Sequence, residues 1–159
     1  MKTLLKIFGG IVVCLVILPL IVRITGMELN NRTPGLWLRG KVVTAPVSDW
    51  SFTDRIPNIK LQTESWYELP HSVTINCLSY DGRLYVSSVL PAGIRRTWNE
   101  NVMRDPHVRI QIGNNLYDRS LSLVTDSAEE QAVLQARSPK YPRLNIPSNA
   151  TIHIFRVVG

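Results

Sequence analysis

Two adjacent arginines, Arg95 and Arg96, follow Gly93 and Ile94 just before a stretch of helical pattern. A glycine-containing loop running into a helix offers free backbone amides and the positive end of the helix dipole, and each guanidinium can grip a phosphate through two parallel hydrogen bonds. That combination suits a phosphorylated ligand; the same residues would also serve as solvated loop cations. A second group is Trp66, Tyr67 and His71, separated by Glu68, Leu69 and Pro70. Its rings could stack on a planar molecule and its imidazole could hydrogen-bond a substrate. The alternative is that Trp66 and Tyr67 plug the end of a barrel and His71 is simply exposed. His71, His107 and His153 have no metal-ligand spacing, so no metal is implied. No phosphate loop and no Gly-x-Ser-x-Gly elbow is present. Cys77 alternates with Val73 and Ile75, the placing of a small buried hydrophobe rather than a nucleophile. Trp37, Trp50, Trp66 and Trp98 read first as packing residues.

The elements that must position these groups are mostly strands. Residues 72–80 and 83–89 flank Asp81-Gly82, a pair that accepts the positive φ angles of a tight primed turn, and predict a hairpin. Residues 107–112 put Val108, Ile110 and Ile112 on one face; Gly113-Asn114-Asn115 makes a turn, and residues 116–125 return as a second hairpin. Ile59, Leu61, Thr63 and Ser65 alternate with polar neighbours as the inward face of a further strand. Residues 37–44 are β-rich, and residues 151–158 supply a last strand with Ile152 and Ile154 on one face. Two stretches break the pattern. Residues 96–104 carry Trp98, Val102 and Met103 at helical spacing and stop at Asp105-Pro106. Asp126 or Ser127 can cap a second helix, with Glu129 or Glu130 completing a capping box. About seven strands with two inserted helices predict a mainly β fold, a closed or partly closed small barrel whose closure removes exposed edges.

The chain has 159 residues with 18 Lys+Arg against 12 Asp+Glu, and its charge and apolar content are unevenly spread. Residues 1–25 contain Lys2, Lys6 and Arg23 and no acidic residue, so the remainder carries a net charge of about +3, too little to argue for nucleic acid. Residues 4–22 form an apolar run that would span roughly 28 Å as a helix, which predicts a transmembrane signal anchor crossing the lipid bilayer. A cleaved signal peptide is the competing reading, but no small-x-small cleavage site stands out. Residues 26–36 read as a linker and residues 37–159 as the folded domain. The charge contrast across the anchor favours a single-pass protein with its domain on the outer, extracytoplasmic side. Two sequons, Asn31-Arg32-Thr33 and Asn149-Ala150-Thr151, match a pattern common by chance. With Cys14 inside the anchor, Cys77 is the sole thiol of the domain and no internal disulfide can form there.

The run Arg95-Arg96-Thr97-Trp98-Asn99-Glu100-Asn101-Val102-Met103-Arg104-Asp105-Pro106-His107-Val108-Arg109-Ile110-Gln111-Ile112-Gly113 resembles the split-barrel flavin-binding superfamily, specifically its deazaflavin-dependent nitroreductase-like branch. The Asp81-Gly82 hairpin upstream, and Leu123-Val124-Thr125-Asp126 with Lys140-Tyr141-Pro142 downstream, match the same order of elements. The resemblance implies a six- to seven-stranded split β-barrel with two short helices, paired as a homodimer. It also implies a cofactor, FMN or the deazaflavin F420, whose phosphate is held by Arg95 and Arg96 near Trp98. Trp66, Tyr67 and His71 would line the ring or the acceptor, although the family places a Ser-Gly-Lys-type turn there. The expected function is a membrane-anchored oxidoreductase of nitroreductase or quinone-reductase type acting on a small or lipophilic acceptor. The alternative is a non-enzymatic, membrane-tethered barrel serving as a binding or interaction module, because fold does not carry function.

Overall fold

Asp81 and Gly82 both adopt left-handed backbone angles, φ 51° and 69°, and fold the chain sharply between β3 (Pro70–Tyr80) and β4 (Arg83–Leu90). This is the primed turn that the Asp-Gly pair predicts. The computed structural model describes residues 2–25, 34–143 and 146–159. The other strands are β1 (Lys41–Val42), β2 (Asn58–Glu64), β5 (His107–Ile112), β6 (Asn115–Leu123) and β7 (Thr151–Val158). Helices α1 (Lys2–Thr25), α2 (Thr97–Arg104) and α3 (Ser127–Lys140) accompany them.

The strands lie in the order β1-β6-β5-β2-β3-β4-β7, and β6 also pairs with β7, which closes β2 to β7 into a six-stranded antiparallel barrel. β1 stays outside as a two-residue parallel pairing with Asn115 and Leu116. The β-rich residues 37–44 therefore give only this short strand. The reason is room: β6 is paired with β5 from Asn115 to Ser120 and with β7 from Ser120 to Leu123, which leaves β1 a free edge only near its start. Gly40 permits that approach, since a Cβ there would lie 2.4 Å from the Asn114 carbonyl oxygen. The second hairpin turn is tighter than its sequence suggests, because Asn115 already pairs with Ile112 and Gly113-Asn114 alone make the bend.

Alternation decides what each strand buries. Ile59, Leu61, Thr63 and Ser65 are all buried, as are Val108, Ile110 and Ile112. Ile75, Cys77, Leu84, Val86 and Phe155 join them inside the barrel, with Trp50 and Trp98 also in that core. Leu78, Tyr85 and Ile154 point outward and pack on Val133 of α3, so the barrel has a second, external core. Asp126 caps α3 by accepting a hydrogen bond from the Ala128 amide at 2.8 Å. Glu129 reaches away from the helix end instead, to the Tyr85 hydroxyl at 2.7 Å and the Arg156 guanidinium at 2.8 Å, and fastens α3 to β4 and β7.

Residues 4–22, the expected membrane-crossing run, lie within α1. Even so, among the described residues no helix is long and apolar enough to cross a membrane. The helix runs Lys2–Thr25, and its side chains are described without interruption from Lys6 to Ile21. Those between Ile7 and Leu20 are exposed. Most of the expected linker, including Asn31, lies outside the described residues. Asn149 of the other sequon is exposed in the turn before β7.

Candidate functional site

β3 is long enough to serve two neighbours in succession. Pro70 to Asn76 pair with β2, whereas only Cys77 to Tyr80 pair with β4. On the other side β4 keeps its pairing with β7 up to Leu90. Above Cys77↔Val86 the two strands of the hairpin thus part company, and the wall of the barrel opens between them. At the top of the gap Gly35 forms an isolated antiparallel bridge with Ser72: its amide donates to the Ser72 carbonyl at 2.8 Å, and its carbonyl accepts from the Ser72 amide at 2.9 Å.

The gap holds a cavity of about 380 Å³, lined by Pro34, by Val73 to Asn76, by Ser87 and Val89, and by Arg96, Trp98 and Arg137. Its size falls within the roughly 300–1,000 Å³ typical of small-molecule sites. Arg96 stands at the exposed rim, where its Nε donates to the Val89 carbonyl at 3.0 Å. Trp98 is buried at 5% exposure and packs edge-on against Phe155, so it forms part of the core as well as the cavity wall. Arg137 comes from α3 on the outer side. It is only 7% exposed, and its Nη1 is buried without a hydrogen-bond partner. Burial pushes its guanidinium down from its ordinary value, the neighbouring Tyr141 acting weakly against that. No carboxylate lines the cavity. The cavity is therefore cationic on two sides and apolar on Trp98 and Val73.

The other sequence-predicted residues are placed elsewhere. Arg95 leaves Arg96 and forms an exposed ion pair with Glu100. Trp66 and Tyr67 sit edge to face in the turn between β2 and β3, 80% and 53% exposed, where the Ser65 amide donates to the Leu69 carbonyl and Glu68 takes φ 62°. His71 is half-buried at the start of β3, and burial pushes its imidazole down. The structure thus brings Arg96 and Trp98 together, and keeps Arg95, Trp66, Tyr67 and His71 off the cavity wall. Arg137 is the residue that sequence reasoning missed. A signal for it existed, because it falls four residues after Val133 on the inward stripe of α3, where a charged side chain must be buried.

Other polar residues have structural partners. His107 is exposed and 2.7 Å from Asp105, and His153 lies 3.0 Å from the Asn99 side chain. Among the described residues no group of His, Cys, Asp and Glu could hold a metal ion. Cys77 is buried, which pushes its thiol up, and Lys140 lies 3.9 Å away.

No family model and no curated protein matches the sequence. Solved structures do match. The chain superposes on a conserved hypothetical protein from Mycobacterium tuberculosis with a TM-score of 0.55 at 15% identity, over 77% of this chain and 85% of that one. An F420-H2 dependent reductase gives 0.50 at 19% identity, over 64% and 94%. A pyridoxamine 5′-phosphate oxidase-like protein from Listeria innocua gives 0.50 at 20%, over 68% and 87%. The chain has the split-barrel fold. The parting of β3 and β4 is the split in this barrel's own wall, and the cavity described above occupies it.

Proposed function

We propose that this split barrel is a flavin- or deazaflavin-dependent reductase that holds its cofactor, FMN or F420, at the cavity between β3 and β4. The observation that carries the reading is the composition of that cavity: two arginines, an indole edge and no carboxylate, in a space of small-molecule size. Arg96 would meet phosphate at the rim, and Trp98 with Val73 would form an apolar wall for a ring. Such a cofactor, when bound, supplies the hydride chemistry, and the protein contributes binding, orientation and exclusion of water. Trp66, Tyr67 and His71 remain candidates for the acceptor side rather than for the cavity, while Arg95, paired with Glu100, would not reach the phosphate. The open edge of β3 above Cys77 would also suit pairing of two copies around the site.

The membrane anchor belongs to the same proposal. Its support is the chain's first segment, where α1 presents exposed Ile7, Phe8, Leu15 and Leu18 with no acidic residue. An anchored reductase would meet a lipophilic, quinone-like acceptor at the bilayer, with its domain on the outer side. The test is to purify the full chain in detergent and titrate it with FMN and with F420 while recording visible absorption. A saturable spectral shift with either is expected. A folded sample that shifts with neither refutes the reductase reading and leaves a non-enzymatic binding module. Resistance of the full chain to alkaline carbonate extraction from membranes is the corresponding test of the anchor.

A further inference from the structure

The least economical residue in the fold is Arg137. A guanidinium taken out of water without a counter-charge costs several kcal/mol even after relaxation, and arginine stays protonated. Glu129 pairs with Arg156 and Tyr85, and among the described residues no Asp or Glu lines either hollow that Arg137 borders. On its inner side the hollow shared with Cys77, Tyr85 and Tyr141 is only about 10 Å³, room for a water at most. A water would satisfy a hydrogen bond there and leave the charge unbalanced. Arg137 also lines the 380 Å³ cavity, which Arg96 lines at its exposed rim.

We infer that Arg137 and Arg96 form a two-sided anion site that takes the phosphate of a phosphate monoester, with Arg137 as its buried floor. This deepens the cofactor reading and can be tested apart from it. Two guanidiniums bordering one cavity can each offer paired N–H donors to a dianion, a match that neither a carboxylate nor chloride makes as well. The fold keeps an unpaired buried charge because the bound anion completes it.

The test uses the full chain in detergent, with thermal midpoints read in sodium phosphate and in sodium chloride of equal ionic strength. Phosphate is expected to raise the midpoint of the wild type above its chloride value. Arg137→Met is expected to have a higher midpoint than wild type in chloride, because a buried uncompensated charge is gone, and to lose the phosphate shift. Arg96→Gln, at an exposed position, is expected to reduce the phosphate shift by much more than it lowers the chloride midpoint through loss of the bond to the Val89 carbonyl. FMN is expected to bind at least about tenfold more tightly than riboflavin, a preference lost in Arg137→Met, as loss of one charge-assisted contact implies. The inference is overturned by a wild-type midpoint equal in the two salts, or by a phosphate shift that survives in Arg137→Met and in Arg96→Gln. An Arg137→Met variant less stable than wild type in chloride also overturns it. A phosphate shift that depends on both arginines, with no binding of FMN or F420, upholds the anion site and refutes the flavin reading alone.

Discussion

Removing one oxygen atom from Tyr141 should loosen the barrel more than its surface position suggests. The hydroxyl stands between the ends of β2 and β3, where it accepts from the Cys77 amide at 3.1 Å and faces the Cys77 carbonyl at 2.6 Å, with the Pro57 carbonyl also in reach. Cys77 is 1% exposed, so water does not easily replace these contacts. Tyr141→Phe leaves a buried donor and a buried acceptor unpaired, each costing about 1–3 kcal/mol, partly offset by the lighter desolvation of phenylalanine. The net loss is about 2–3 kcal/mol, or roughly 5–10 °C in thermal midpoint for a chain of this size. Equilibrium urea unfolding measures it, and the midpoint should fall with an unchanged slope. A loss below about 0.5 kcal/mol would refute the reasoning, since it would mean that water satisfies Cys77 once the hydroxyl is gone. The same phenol supplies an alkaline signature. Burial, with the Cys77 thiol beside it, pushes Tyr141 up to about 12. Its contribution is complete below the unfolded value near pH 10 and fades as pH rises toward 12, so Tyr141→Phe should flatten that limb of the stability curve.

Glu129→Gln removes the charge that ties α3 to Arg156 and Tyr85 and should cost about 1–3 kcal/mol in urea, with faster hydrogen exchange confined to α3. At acid pH the two hydrogen bonds from Arg109 hold Asp118 below the usual carboxylate range. The stability from that pair is present above the unfolded carboxylate value near 3.9 and is lost as pH falls through the lower folded value. Because the pair is largely exposed its worth is under about 1 kcal/mol, and Asp118→Asn should make the acid limb of a stability-versus-pH series slightly shallower.

The barrel was readable because its signals are local. Asp81-Gly82 specifies its turn by backbone chemistry, and Ile59, Leu61, Val108, Ile110 and Ile112 declare their inward faces by a period of two. The cavity was only half readable. Arg96 and Trp98 lie in a run whose order of residues points to it, but their roles differ: Trp98 is also a core residue, and Arg95 turns away to Glu100. Arg137 offers only its four-residue spacing from Val133 as a signal, because nothing in Gln135-Ala136-Arg137-Ser138 itself tells a solvated helix arginine from a buried one. What buries it is the docking of α3 on Leu78, Tyr85 and Ile154, and that contact joins Val133 to residues 21 to 55 positions away. The parting of β3 from β4 is equally non-local. It depends on Val73 to Asn76 staying with β2 while Ser87 to Leu90 stay with β7, a property of register rather than of composition.

Pro34 and Gly35 lie on the boundary that a molecular biologist would choose for cutting away the N-terminal segment. Gly35 is nevertheless a rung on the free edge of β3, and Pro34 is part of the cavity wall. A fragment begun at Trp37 would keep the whole barrel and lose one side of its opening. Weak ligand binding by such a fragment would be a property of the cut. The same bridge joins the chain leaving α1 to the rim of the cavity, so tension along that segment would be borne at Ser72, beside the site rather than at the far end of the barrel.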